Sequence, residues 1–263
     1  MTPYLVGLDV DGTTITHEGE LREPVRAAVR DVVDAGHHIV IATGRAIVGT
    51  LPILDRLSLT TGYAVCANGA ITLRLDPALA KGYEVIDTVT FDPAPVLTLL
   101  REYVPTALIA VEEPGVGFKV SANFPPGELD APETVVPWEE LLTTEVTRVT
   151  LREPNSSADE FLDLVRRAGL HGVNYAVGWS AWLDINPEGV SKASGLEAVR
   201  ELLGVDRAHT LAVGDQRNDL EMLAWAARGV AMANAPDEVK AVADEVAGYV
   251  DDDGLVPILR SLL

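Results

Sequence analysis

Leu5-Val6-Gly7-Leu8-Asp9-Val10-Asp11-Gly12-Thr13-Thr14 is the stretch on which the reading of this chain turns. Its short apolar run, closed by turn residues, reads as a buried strand of a parallel sheet. The run ends in two aspartates one residue apart, followed at once by glycine and threonine. In extended backbone, residues i and i+2 point to the same side, so Asp9 and Asp11 are expected to face one crevice. Two carboxylates that close are not both ionised cheaply without a cation.

Outward from this stretch the pattern repeats. Leu21–Ala35 carries Val25, Val29, Val32 and Val33 at helical spacing and is stopped by Gly36. His38–Ala42 reads as a strand ending in Thr43-Gly44-Arg45, Ala46–Leu57 as a helix, and Tyr63–Ala67 as a strand ending in Asn68-Gly69-Ala70. Strands alternating with helices imply right-handed crossovers and a doubly wound parallel sheet, with ligands outside the carboxyl ends of the strands.

From Glu84 the character changes. Strands are expected near 85–90, 107–111, 117–120, 146–151, 173–177 and 181–185, with helices near 96–103 and 157–168 and Pro/Gly breaks between them. None of these runs ends in an acid–glycine cluster. The expectation is an α/β core from residues 1–83 and 186–263, with an inserted α+β cap over 84–185. The core pattern resumes with a helix from Ser191-Lys192 to Leu203, capped by Ser191. Then come Thr210–Val213 ending in Gly214-Asp215, a helix to Ala227, Gly229–Met232 ending in Ala233-Asn234, and helices at 237–246 and 255–263.

Composition narrows the partners. The chain has 263 residues, is 48% hydrophobic and carries a net charge of −20, with four lysines and sixteen arginines. That sign argues against nucleic-acid backbones and anionic membranes. An anionic substrate would therefore need cations concentrated locally. One cysteine, Cys66, excludes an internal disulfide and fits a reducing, cytoplasmic setting. Set in an apolar run, it reads as a small buried hydrophobe. No signal peptide and no membrane-spanning run is evident. The five histidines are scattered, and Trp179 and Trp182 read as packing residues.

The expected strand ends gather Asp9, Asp11, Thr43, Asn68, Asp215, Asn218 and Asp219, with Lys192 at a helix start. Carboxylates without a histidine or cysteine cluster mean oxygen ligands and a hard divalent cation, Mg²⁺ first. A threonine hydroxyl, backbone amides beside glycine and a lysine converging there would hold a tetrahedral dianion. An aspartate in line with phosphorus can attack it, and a second carboxyl can move protons.

These residues carry a resemblance. Asp9-Val10-Asp11-Gly12-Thr13, Thr43-Gly44-Arg45, Lys192 and Gly214-Asp215-Gln216-Arg217-Asn218-Asp219 resemble, in order, the four motifs of the haloacid-dehalogenase (HAD) superfamily. The Asn68-Gly69-Ala70 segment, Gly189-Val190-Ser191-Lys192 and Met232-Ala233-Asn234-Ala235 resemble its Cof-type branch; Ala193 and Ala233 stand where that branch often has glycine. The resemblance implies a phosphatase acting through an aspartyl-phosphate on a small phosphorylated metabolite, sugar phosphates first and phosphorylated cofactors next. It implies Asp9 as nucleophile and Asp11 as general acid/base. Mg²⁺ would be held by Asp9, the Val10 carbonyl and Asp215, with Asp11 beside it and Asp219 direct or through water. Thr43, Gly44, Arg45, Asn68, Lys192 and Asn218 would bind phosphate or substrate. A phosphomutase on the same core and a phosphoacceptor signalling domain are the alternatives. A monomer or homodimer is expected.

Overall fold

A computed structural model describes residues 2–153, 157, 172–177 and 181–263. The helix expected over 157–168 lies, beyond Ser157, outside the described residues, as do His171 and Trp179. In chain order the described elements are β1 (Leu5–Leu8), α1 (Glu23–Asp34), β2 (His38–Ala42), α2 (Ile47–Arg56), β3 (Gly62–Cys66), β4 (Ile71–Leu75) and β5 (Tyr83–Thr88). They continue with α3 (Ala94–Tyr103), β6 (Leu108–Glu113), β7 (Gly117–Val120), β8 (Glu133–Val135), α4 (Trp138–Leu141), β9 (Val149–Arg152), β10 (Val173–Val177) and β11 (Trp182–Pro187). Last come α5 (Lys192–Leu203), β12 (Thr210–Gly214), α6 (Leu220–Trp225), β13 (Arg228–Ala231), α7 (Asp237–Lys240), β14 (Glu245–Val246) and α8 (Leu255–Arg260). No described helix is long and apolar enough to cross a membrane.

The chain divides into two compact units. The first takes the residues through Gly44, Thr50–Asp87 and Ser191–Leu263. It is built on an eight-stranded sheet in the order β14-β13-β12-β1-β2-β3-β4-β5. β1 lies centrally, with Leu8 in register with Ile41 on one side and Val213 on the other, both pairings parallel. Its four residues are all buried, as a strand covered on both faces requires. α1 shows why the helices pack as they do: Pro24 stands in its first turn, and Val25, Ala28, Val29 and Val32 bury one stripe. Gly36 ends it with φ +91°, donating to the Val33 carbonyl at 2.9 Å. α5 lies so close to the sheet that a Cβ on Gly7 would sit 2.7 Å from Leu196 Cδ1.

Two expectations fail at the edges of this sheet. The helix expected over 237–246 stops at Lys240. Asp244 and Ala247 donate instead to the carbonyls of Gly229 and Ala231, and sheet pairing takes residues whose helix propensity is ordinary. The strand expected at 85–90 is β5, and it joins the eight-stranded sheet.

The second unit takes Arg45–Gly49 and Thr88–Val190. Its six strands run β10-β11-β9-β6-β7-β8, antiparallel except for β7 with β8. Alternate residues separate into two faces. Ile109, Val111, Val149, Leu151, Leu183 and Ile185 pack with Val96, Leu97 and Leu100 of α3. Ala110, Phe118 and Val120 pack with Phe124 and Ala46.

Candidate active site

All the parallel strands of the first unit end on the same edge, and there the polar residues collect. Asp9 follows β1, its N–H donating to the Val213 carbonyl at 3.0 Å. Thr43 follows β2; its N–H meets the Val65 carbonyl at 2.9 Å, and its own carbonyl accepts from Asn68 N at 3.0 Å. Ala67, Asn68 and Gly69 all have positive φ. For Gly69 no other residue fits, because a Cβ would run into the Ser191 backbone. That tight turn seats Ser191, whose hydroxyl accepts from Ser194 N and starts α5.

Lys192 is thereby delivered into the interior at 1% exposure. Its ammonium donates to Asp9 Oδ1 and to Asp219 Oδ1, each at 2.6 Å. The other Asp219 oxygen accepts Asp215 N at 2.9 Å and Gln216 N at 2.8 Å. Asp215 accepts Thr13 Oγ1 at 3.1 Å on one oxygen, and Asn234 Nδ2 at 3.1 Å and Gln216 Nε2 at 3.2 Å on the other. Asn218 Nδ2 donates to Asn68 Oδ1 at 2.9 Å, while its own side-chain oxygen is buried without a partner among the described residues. Gly44 fits against this pair: a Cβ on it would lie 2.9 Å from Asn68 Oδ1 and 3.5 Å from Asn218 Nδ2.

Burial makes this a strained electrostatic neighbourhood. Desolvation raises the Asp9 pKa well above its ordinary value, and Asp219 and Asp215 raise it further than Lys192 lowers it. Asp215 is pushed up to about 6 by burial and then by Asp219, with Thr13, His17 and Lys192 opposing. Burial works against the Lys192 charge, but Asp219 and Asp9 outweigh it and its pKa rises.

Single carboxylate oxygens of Asp9, Asp215 and Asp219 lie within 4.8 Å of one another. Three carboxylates against one ammonium leave two negative charges in excess, in a site of oxygen donors only. That set fits a hard divalent cation.

Not every expected residue is used as expected. The Val10 carbonyl accepts Thr14 N and Ile15 N at 2.9 Å and Thr13 N at 3.4 Å, so the turn consumes the oxygen expected to face a metal. β1 stops at Leu8, so the extended-backbone argument does not reach Asp11. That residue is half-buried in the turn, paired through its backbone with Ile15, and its carboxylate is outside the clustered trio. Arg45 belongs to the second unit, where its Nη1 donates to the Gly49 carbonyl at 3.4 Å. Cys66 is fully buried. Asn234 was not among the expected site residues, yet it binds Asp215 and, at 2.9 Å, the Gly12 carbonyl. Its position just past β13 was the available signal.

With this geometry the chain belongs to the haloacid dehalogenase-like hydrolase family, whose model matches residues 6–105 and 128–259. It is a hydrolase, and relatives that cover its whole length are named as phosphatases. The pyridoxal phosphate phosphatase YbhA of Escherichia coli is 29% identical, with 100% of each chain covered. The 5-amino-6-(5-phospho-D-ribitylamino)uracil phosphatase YitU of Bacillus subtilis is 28% identical over 98% of this chain and 97% of its own. The solved structure of a HAD-superfamily phosphatase from Bacteroides thetaiotaomicron is 28% identical, with a TM-score of 0.78 over 99% of this chain and 95% of that one.

Proposed function

We propose that this protein is a cytoplasmic, Mg²⁺-dependent phosphatase of small phosphorylated metabolites. Sugar phosphates come first, and phosphorylated cofactors of the pyridoxal phosphate kind next. The observation that carries the reading is the buried Lys192 ammonium shared between Asp9 and Asp219 beside Asp215.

In the first half-reaction an Asp9 carboxylate oxygen attacks phosphorus, the bond from phosphorus to the ester oxygen breaks, and Asp11 protonates the leaving alkoxide. In the second, Asp11 takes a proton from water as that water attacks the aspartyl-phosphate, releasing inorganic phosphate and restoring the Asp9 carboxylate. Lys192 holds Asp9 in one rotamer and offers positive charge to the phosphoryl oxygens, as phosphoryl transfer demands. Thr43, Gly44, Asn68 and Asn218 line the tetrahedral group's seat, and Arg45 adds a substrate contact. Asp9 and Asp215 would hold Mg²⁺, which when bound would neutralise the excess negative charge of the cluster. Asp219 acts through Lys192 and the backbone N–H groups of Asp215 and Gln216. The second unit, Thr88–Val190, supplies the residues that select the substrate.

The test is phosphate release from an aryl phosphate and a panel of sugar and cofactor phosphates, with Mg²⁺ and with EDTA. Asp9→Asn is expected to lower kcat by at least about 10³-fold. Retained turnover in that variant would remove Asp9 as nucleophile. Dependence of phosphate release on a bisphosphate activator would favour a mutase.

A further inference from the structure

The turn Thr43-Gly44-Arg45 leads into α2, which begins at Ile47. A helix N-terminus leaves its first backbone N–H groups without intrahelical partners. The residue before Ile47 is Ala46, whose side chain offers no acceptor. The acceptor comes from 84 residues away: Ala46 N donates to Asp130 Oδ2 at 2.8 Å. That carboxylate also brings negative charge to the positive end of the helix. Gly49 makes the approach feasible, since a Cβ there would collide with the Asp130 carboxylate. Ala46 is itself buried in a cluster with Phe118, Val120 and Phe124. Asp130 also adds to the field on buried Arg148: burial opposes that guanidinium's charge, while Glu112, Asp184 and Asp130 raise its pKa.

We infer that Asp130 is a positioning residue for the turn Thr43-Gly44-Arg45, capping the helix that the turn enters. The inference rests on the reading above that Thr43 and Gly44 hold the phosphoryl group. Asp130 touches no reacting atom. It sets where α2 starts, and so where the backbone of residues 43–45 is held. Because Asp130 lies between β7 and β8, the same hydrogen bond ties that connection to the turn. Seating a phosphoryl group and ordering the connection therefore favour each other.

Three variants test this with the full chain: Asp130→Ala removes the acceptor, Asp130→Asn keeps one, and Gly49→Ala pushes a methyl against it. Two readouts are used, KM and kcat for an aryl phosphate and amide hydrogen exchange over residues 46–50 without substrate. Asp130→Ala and Gly49→Ala are expected to raise KM about tenfold with kcat changed less than about threefold. Both should speed exchange over 46–50 by about tenfold or more. Asp130→Asn should stay within about threefold of the parent on KM, because its carbonyl still accepts. Should Asp130→Ala not fold, Gly49→Ala and Asp130→Asn decide between them. Unchanged KM and unchanged exchange in Gly49→Ala, or a KM loss in Asp130→Asn equal to that of Gly49→Ala, overturns the inference. If the parent releases no phosphate, the functional reading fails separately, and the exchange measurement alone judges Asp130.

Discussion

Each unit of this protein buries a cation among carboxylates, and the two do it differently. In the first, Lys192 lies between Asp9 and Asp219, residues on separate segments that meet only because their strands end on one edge. In the second, Arg148 and Glu112 are neighbours across a β-ladder: Glu112 N donates to the Arg148 carbonyl, and Arg148 Nε to Glu112 Oε2, both at 3.0 Å. Asp184 stands 3.8 Å from the same guanidinium, which also lies 5.2 Å from the centre of the Phe118 ring. The pair in the ladder fastens two strands to each other. The strand-end set is crowded with like charge and brings three carboxylates within reach of one cation. Burial of charge is common to both units; only position relative to the strand ends separates a fastener from the proposed reaction centre.

Deleting the buried cation from each unit should break the comparison most sharply. Lys192→Met leaves Asp9 and Asp219 buried without compensation. It is expected to lower kcat by about 10³-fold and to cost about 3–5 kcal/mol of metal-free stability. Arg148→Met should cost a similar 3–5 kcal/mol by stranding Glu112. Its kcat per folded molecule should stay within about threefold, since the described contacts of Arg148 are with Glu112, Asp184 and Phe118. Adding Glu112→Leu to Arg148→Met removes the stranded charge and should recover most of that stability. Denaturant unfolding and kcat on an aryl phosphate measure both arms. A collapse of kcat in Arg148→Met would erase the distinction between the two units.

Metal and pH separate them next. Asp215 has a folded-state pKa of about 6 against an ordinary 3.8, so the native state binds its proton more tightly. Metal-free stability from this group is therefore lost as pH rises from about 4 through about 6, where the carboxylate must ionise among Asp219 and Asp9. A divalent cation reverses the sign, because it binds the ionised carboxylates. Mg²⁺ at 100 times its Kd stabilises by about 2.7 kcal/mol. The gain in Tm on replacing EDTA by Mg²⁺ should be large at pH 8 and small at pH 5. It should be nearly abolished in Asp215→Asn and preserved in Glu112→Gln. Equal gains at both pH values would detach the metal from this cluster.

The strand-end set was legible for the same reason that it differs from the ladder pair. A polar residue beside a glycine after an apolar run is visible in one dimension, which is why Asp9, Thr43, Asn68 and Asp215 could be named in advance. Lys192 needed more than the helix start set by Ser191: the resemblance of Gly189-Val190-Ser191-Lys192, placed ahead of Gly214-Asp215, singled it out. Arg148 and Glu112 lie in mid-sheet, where the pairing depends on antiparallel register between β6 and β9, and no local pattern reports it. The Val10 carbonyl departs from the expectation because the turn through Gly12, Thr13 and Thr14 directs N–H groups of residues 13–15 onto its oxygen, and turn hydrogen bonds are not written in residue type. The helix expected past Lys240 failed because edge pairing in β14 overrides propensity.

The finest difference concerns how rigidly each cation is seated. Lys192 is the first residue of α5, and Leu196, four residues on and on the same side of the helix, rests on the bare Cα of Gly7 in β1. A methyl at position 7 would sit 2.7 Å from Leu196 Cδ1, so the helix or the leucine must give way. Gly7→Ala is expected to cost about 1–3 kcal/mol by overpacking. It should also lower kcat several-fold, because the displaced helix carries the Lys192 ammonium away from Asp9. Leu196→Val in the same chain removes the colliding methyl carbon and should return part of both losses. Recovery of stability without recovery of kcat would mean that α5 holds Lys192 through the Gly69–Ser191 contact alone. Recovery of both would make the Gly7–Leu196 contact part of what aims the lysine, a control that Arg148, fixed within its ladder, does not need.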